Sequence, residues 1–380
     1  MEDRRSLVAE ADMMQGEMLD AAVVGATGIV GQQFVIALHE HPWFRISCLA
    51  ASEKSAGKTY QDALRDPNTD ALRWFCSEEA PDSVLGMTMR DASSLDLSEV
   101  DIVFAALESD QAKKLEPAYA RIRSVISTAS AFRYESDVPI LVPGVNLEHA
   151  RLVDAQRKNR RWKGLIAPIP NCTTTGLVVS LKPIQDDFGI ASVTMTSMQA
   201  VSGAGRSPGV LSLDVTDNVI PFIPGEEEKV QTETLKILGS ETRGCISPAD
   251  FKVTCTCTRV AVLEGHTEAV FVSTRKPCDP SAVADSMRSF ARHSRLDLPS
   301  APRELLLVNE DPFRPQPRLD RDSQGGMAVT VGRIRQDHAQ EHGVKYVLVT
   351  HNTKLGAAKG AVLVAEHLVK SGYVSRRPSS

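Results

Sequence analysis

Apolar and polar residues follow two different rhythms along this chain, and the change between them divides it. Residues 20–24 read as a first strand that runs directly into Gly25-Ala26-Thr27-Gly28-Ile29-Val30-Gly31. A helical stretch follows, with Phe34 and Leu38 on one face, and then a second strand over 44–51. Further strands are expected at 101–107, 124–127, 140–143 and 164–169, with helical or polar segments between them. Such alternation predicts a parallel, doubly wound α/β sheet.

After Pro170-Asn171-Cys172 the texture changes. Long alternating runs occupy 193–201, 252–262, 268–274, 327–334 and 345–350, which suits a mainly antiparallel sheet with one covered face. Helices are expected at 226–238 and 281–293, and an alanine-rich buried helix at 355–368. The segment 298–322 is rich in Pro, Asp and Arg and reads as a surface excursion.

The chain has 380 residues, enough for two domains with a core each. A net charge of -5 gives no electrostatic reason to expect nucleic acid or an anionic membrane as partner. No apolar run is long enough to cross a bilayer, and residues 1–18 carry no signal-peptide core and read as an N-terminal arm. Seven cysteines form no CxxC pair, so a reducing, cytoplasmic setting is expected. Cys255 and Cys257 alternate with threonines on one strand face and read as buried structural residues.

Gly25, Gly28 and Gly31 sit between a strand and a helix, the context a dinucleotide fingerprint requires. Amides at such a helix start face the pyrophosphate, so Gly25, Thr27, Gly28, Ile29, Val30 and Gly31 are the expected cofactor loop. The spacing is GxxGxxG, and a closely packed helix start that binds nothing is the alternative. At the end of the second strand, Ser52, Ser55 and a nearby lysine suit a ribose 2′-phosphate and favour NADP; an inward Glu53 would favour NAD instead.

Cys172 opens a helical run behind Asn171 and ahead of three threonines, where amide dipoles favour a thiolate and an oxyanion. A cysteine nucleophile needs a proton partner. His39, His41, His338 and His342 fall in polar stretches expected to be exposed, whereas His266 follows Gly265 between two strands. Taken alone, His266 would still read as a turn histidine.

These blocks together resemble one family. Val24-Gly25-Ala26-Thr27-Gly28, Pro168-Ile169-Pro170-Asn171-Cys172-Thr173-Thr174 and Gln199-Ala200-Val201-Ser202-Gly203-Ala204-Gly205 match aspartate-semialdehyde dehydrogenase, nearest its archaeal and fungal branch. Residues 220–229, 259–266 and 352–358 continue the match in family order.

The resemblance implies a Rossmann-type nucleotide-binding domain over 19–168 and 352–380, with an α+β catalytic and dimerisation domain over 169–351, an architecture like that of glyceraldehyde-3-phosphate dehydrogenase. It implies that Cys172 is the nucleophile, His266 the acid/base and Gln199 a positioner of the acyl intermediate. Arg259 would take the substrate α-carboxylate and Glu226 its ammonium. Lys229, Arg133 and Asn171 would serve the phosphate. Ser202, Gly203 and Asn352 would lie near the nicotinamide.

The implied reaction reduces L-4-aspartyl phosphate with NADPH through a cysteine thioester, without a metal. The implied protein is a homodimer or dimer of dimers that feeds threonine, methionine and, in some organisms, lysine synthesis. Thr128 stands where the family pattern has Asn, and Glu226-Glu227-Glu228-Lys229 alone would read as a solvated charge run. The rival readings are N-acetyl-glutamyl-phosphate reductase, malonyl-CoA reductase and a catalytically inactive NADP sensor.

Overall fold

The computed structural model describes residues 18–205 and 209–377. The expected arm therefore lies, except for Met18, outside the described residues.

The first half builds β1 (Leu19–Val24), α1 (Ile29–Leu38), β2 (Phe44–Ala51), β3 (Arg90–Asp91), β4 (Ile102–Ala105), α2 (Ser109–Ala120), β5 (Ser124–Ser127), α3 (Leu152–Arg160) and β6 (Ile166–Pro168). The strands lie in the order β3-β2-β1-β4-β5-β6, and every neighbouring pair is parallel. β1, β4, β5 and β6 are buried along their whole length. A sheet covered on both faces explains their continuous apolar runs. The strand order reverses between β1 and β4, the switch point at which doubly wound sheets bind ligands. The glycine loop sits there.

The second half builds α4 (Cys172–Phe188), β7 (Ile190–Gln199), α5 (Glu226–Ile237), the hairpin β8 (Ser240–Thr242) and β9 (Cys245–Ser247), β10 (Lys252–Arg259), β11 (His266–Thr274), α6 (Pro280–His293), β12 (Leu306–Asn309), β13 (Val329–Asp337), β14 (Gly343–Thr350) and α7 (Ala358–Lys370). Its large sheet has the order β10-β7-β11-β14-β13-β12. The central pairs are antiparallel, while β10–β7 and β12–β13 at the two edges are parallel, so the sheet is more mixed than its sequence pattern suggests. Along β11, alternate residues from His266 to Thr274 are buried, and α4 packs on this sheet. α7 returns to the first half and packs on α1, with Val362, Val364, Ala365 and Leu368 in that core.

Three expectations need correction. Residues 140–143 are not a strand: Val142 N–H donates to Asn146 Oδ1 at 2.8 Å, and Asn146 Nδ2 donates to Ile140 O at 2.8 Å. One side chain thus takes bonds that a neighbouring strand would otherwise supply. The segment 298–322 is more than a surface excursion, because it contributes β12 and buries Leu305, Leu306 and Asp320. His41 is buried rather than exposed; its Nε2 lies 2.8 Å from Glu366 on α7, and Phe44 stacks on its ring.

Candidate active site

Several strand ends and one helix start converge on Cys172. Arg259 closes β10 opposite Gln199, which closes β7. His266 opens β11 opposite Thr350, which closes β14. Register partners on neighbouring strands point to the same face, so these side chains reach one side of the same sheet edge. Cys172 is the first residue of α4 and meets them there.

Asn171 caps α4. Its Oδ1 accepts from Thr173 N at 2.9 Å and Thr174 N at 3.3 Å, which satisfies amides that a helix start leaves free. Its Nδ2 donates to Glu226 Oε1 at 2.8 Å. Cys172 Sγ lies 3.1 Å from His266 Nε2. Ala200 N–H donates to His266 Nδ1 at 3.1 Å. Because Nδ1 accepts, the neutral ring carries its proton on Nε2, the atom facing sulfur.

Burial pushes the Cys172 thiol up to about 12, and the charge of Glu226 acts in the same direction. Arg259, Arg133 and the Thr173 amide pull the other way. Burial pushes His266 down to about 3, helped by Arg259 and His351. Thiol and imidazole are therefore both neutral at rest.

Around this pair lies a polar network. Gln199 Nε2 donates to Glu226 Oε1 and to Ser197 Oγ, each at 3.2 Å. Lys229 Nζ stands 3.5 Å from Glu226 Oε2. Arg259 Nη1 donates to Ala200 O at 2.7 Å. Arg259 and Glu226 are both buried, although Glu226 belongs to an acidic run that would be solvated on an isolated helix. Arg133 gives Nη1 to Glu233 Oε1 at 2.9 Å and Nη2 to Thr128 O at 2.8 Å. Thr128 thus meets Arg133 through its backbone, while its Oγ1 donates to Ala105 O at 3.3 Å.

On the other side, Asn352 Oδ1 accepts from Gly265 N at 2.9 Å, and Asn352 Nδ2 donates to Ser202 Oγ at 2.8 Å. A Cβ on Gly203 would lie 3.1 Å from His266 Cε1 and 3.0 Å from Arg259 Nη1. Ser202, Gly203 and Asn352 therefore border the Cys172–His266 pair.

Gly25, Thr27, Gly28, Ile29, Val30 and Gly31 form a second group at the end of β1. Gly25 has φ +82°, and a Cβ there would lie 2.2 Å from Ala106 O. A Cβ on Gly31 would lie 2.1 Å from Gly25 O. Gly28 caps α1 with no side-chain acceptor, so the first-turn amides are left for another acceptor such as a phosphate. Ser52, Glu53 and Lys54 are exposed just beyond β2, and Ser55 is half-buried. The residues present fit a dinucleotide.

Residues 20–153 match the family described as semialdehyde dehydrogenase, NAD binding domain, and residues 181–355 match semialdehyde dehydrogenase, dimerisation domain. The aspartate-semialdehyde dehydrogenase of Archaeoglobus fulgidus is 48% identical, covering 93% of this chain and 98% of that relative. That of Saccharomyces cerevisiae is 40% identical, covering 93% and 98%. The chain belongs to the aspartate-semialdehyde dehydrogenase family.

The solved structures agree. Aspartate semialdehyde dehydrogenase with NADP from Candida albicans superposes with a TM-score of 0.84 at 38% identity, covering 94% of this chain and 100% of that one. Aspartate semialdehyde dehydrogenase II complexed with ASA from Vibrio cholerae gives a TM-score of 0.71 at 31% identity, covering 93% and 98%. The chain is therefore a dehydrogenase with an NAD(P)-binding domain and a dimerisation domain. No described helix is long and apolar enough to cross a membrane.

Within this aspartate-semialdehyde dehydrogenase fold, sequence reasoning missed Glu233 and the Ala200 amide. The backbone contact of Ala200 left no trace in residue type. Glu233 did leave one, since it extends the spacing of Glu226 and Lys229 along the same helix.

Proposed function

We propose that the chain reduces L-4-aspartyl phosphate to L-aspartate 4-semialdehyde and phosphate through a thioester on Cys172, with NADPH as cofactor. The observation that carries this reading is Cys172 Sγ at a helix start, 3.1 Å from His266 Nε2, inside a network holding both an arginine and a carboxylate for a zwitterionic substrate.

Arg259 takes the α-carboxylate, for which a guanidinium supplies two parallel donors. Glu226 takes the ammonium. Arg133 and Lys229, with Asn171, hold the phosphate. Cys172 Sγ attacks the acyl carbon; the C–S bond forms as the C–O bond to phosphate breaks, and the thiol proton leaves with the phosphate. Gln199 orients the acyl group. Bound NADPH supplies the hydride that reduces the thioester. His266 Nε2–H then shares its proton with the hemithioacetal oxygen. As the C–S bond breaks, aldehyde is released, the same N–H again meets the Cys172 thiolate, and a proton taken up from solvent restores the thiol.

NADP is favoured over NAD because Ser52 and Ser55, with Lys54 beside them, follow β2, while Glu53 is exposed there. The loop 25–31, with Ser202, Gly203 and Asn352, completes the cofactor site. The nucleotide-binding part runs over 19–168 and resumes at 352, and 169–351 form the catalytic and dimerisation part. A homodimer or a dimer of dimers is the assembly; Leu211, Leu213 and Phe222, at 71%, 91% and 60% exposure, are apolar surface available for it.

The test is oxidation of L-aspartate 4-semialdehyde with NADP or NAD, with and without phosphate. Phosphate-dependent NADPH formation that falls roughly a thousandfold or more in Cys172→Ser is expected. Activity restricted to NAD would overturn the cofactor assignment. Full activity of Cys172→Ser would overturn the thioester.

A further inference from the structure

Glu226, Lys229, Glu233 and Lys236 are spaced three, four and three residues apart on α5, so they form one stripe of alternating charge. The first two belong to the site already described. Glu233 has no exposed surface, and each of its oxygens has separate work. Oε1 accepts from Arg133 Nη1 at 2.9 Å and from Tyr134 OH at 3.2 Å. Oε2 accepts from the backbone N–H of Asn171 at 2.6 Å.

A single carboxylate thus joins Arg133 to the residue that caps the Cys172 helix. Lys236 secures the same loop from the next turn, with Nζ donating to the carbonyls of Arg133, Glu135 and Val138 at 2.7, 2.7 and 2.8 Å. Arg133 keeps Nε buried and without an acceptor among the described residues, although two other nitrogens are fixed. A guanidinium clamped in this way presents its remaining donors in one orientation, and a planar donor set rewards orientation when it meets a phosphate.

We propose that Glu233 is a positioning residue for phosphate: it holds Arg133 and the start of the Cys172 helix in one fixed relation, so that the leaving group and the nucleophile are aligned together. The proposal rests on Arg133 being a phosphate ligand. It differs from a role as mere counter-charge. A counter-charge weakens phosphate binding, so its removal would tighten phosphate. A positioning residue strengthens phosphate binding, and any change that loses its span weakens it.

Two variants separate these roles. Glu233→Gln keeps the shape but replaces one acceptor oxygen by a donor, which opposes either Arg133 or the Asn171 N–H. Glu233→Asp keeps the charge but is one methylene too short to span both partners. The experiment measures KM for phosphate in the oxidative direction for both variants and for Arg133→Ala, with KM for NADP as the control for an intact fold. The rate of Cys172 alkylation by iodoacetamide reads the other end of the link.

Both Glu233 variants should raise KM for phosphate at least tenfold and change the alkylation rate, with KM for NADP unchanged. A lower phosphate KM in Glu233→Gln, with Glu233→Asp like wild type, would show a counter-charge and overturn the proposal. So would an unchanged phosphate KM in both Glu233 variants while Arg133→Ala raises it. If Arg133→Ala itself leaves phosphate KM unchanged, the phosphate assignment of Arg133 fails and the proposal fails with it.

Discussion

At rest, Cys172 receives little help from charge. Burial and then Glu226 hold its thiol well above the ordinary range, while burial, Arg259 and His351 hold His266 well below its own. Thiol and neutral imidazole therefore coexist through neutral pH, and reactivity awaits a substrate that changes the local charge. In the ligand-free protein, alkylation of Cys172 by iodoacetamide should rise about tenfold per pH unit between about pH 7 and 9, because only the thiolate reacts. A rate that levels off below pH 7 would mean that a thiolate–imidazolium pair is already formed. Cys172 stands out in the sequence because its polar flank is unlike an apolar slot, whereas His266 taken alone reads as a turn histidine and is singled out through the family resemblance. Glu233 left only its helical spacing with Glu226 and Lys229 as a signal, and its burial was not legible, because a charged residue on a helix looks solvated until the loop carrying Arg133 folds over it.

Each element places a residue where chemistry needs it. α1 approaches the glycine loop so closely that a Cβ on Gly31 would meet Gly25 O at 2.1 Å and Ala26 Cα at 2.7 Å. Both neighbours are backbone, so helix and loop must part to admit it. Gly31→Ala should weaken NADP binding by about tenfold or more, near 1.4 kcal/mol, and leave Cys172 alkylation unchanged. Fluorescence titration with NADPH checks the first expectation; wild-type affinity would contradict the role of this contact. Long strands such as β2 and β11 were legible because their patterns are sustained. The two-residue β3 and the four-residue β12 were not, since so few residues carry no period. Residues 140–143 look like a strand because they are apolar, but Asn146 claims their backbone groups.

The molecule brings its two sheets together at Cys172. β6 ends one sheet at Pro168, and after three intervening residues α4, which packs on the other sheet, begins with Cys172. Arg133 follows β5 of the first sheet yet is held by Glu233 beside the second. The segment between β14 and α7 closes the third side: a Cβ on Gly356 would lie 3.0 Å from Cys172 Cβ. The doubly wound half was readable from its alternating elements. The mixed character of the second sheet was not, because residue pattern reports burial and not strand direction. The most direct test of the account is to incubate the protein with L-aspartate 4-semialdehyde and NADP without phosphate, quench in acid, and map adducts by peptide mass spectrometry. One aspartyl thioester on the peptide containing Cys172, discharged when phosphate is added before the quench, is the predicted result. NADPH formation with no adduct on Cys172, or an adduct on another residue, would contradict it.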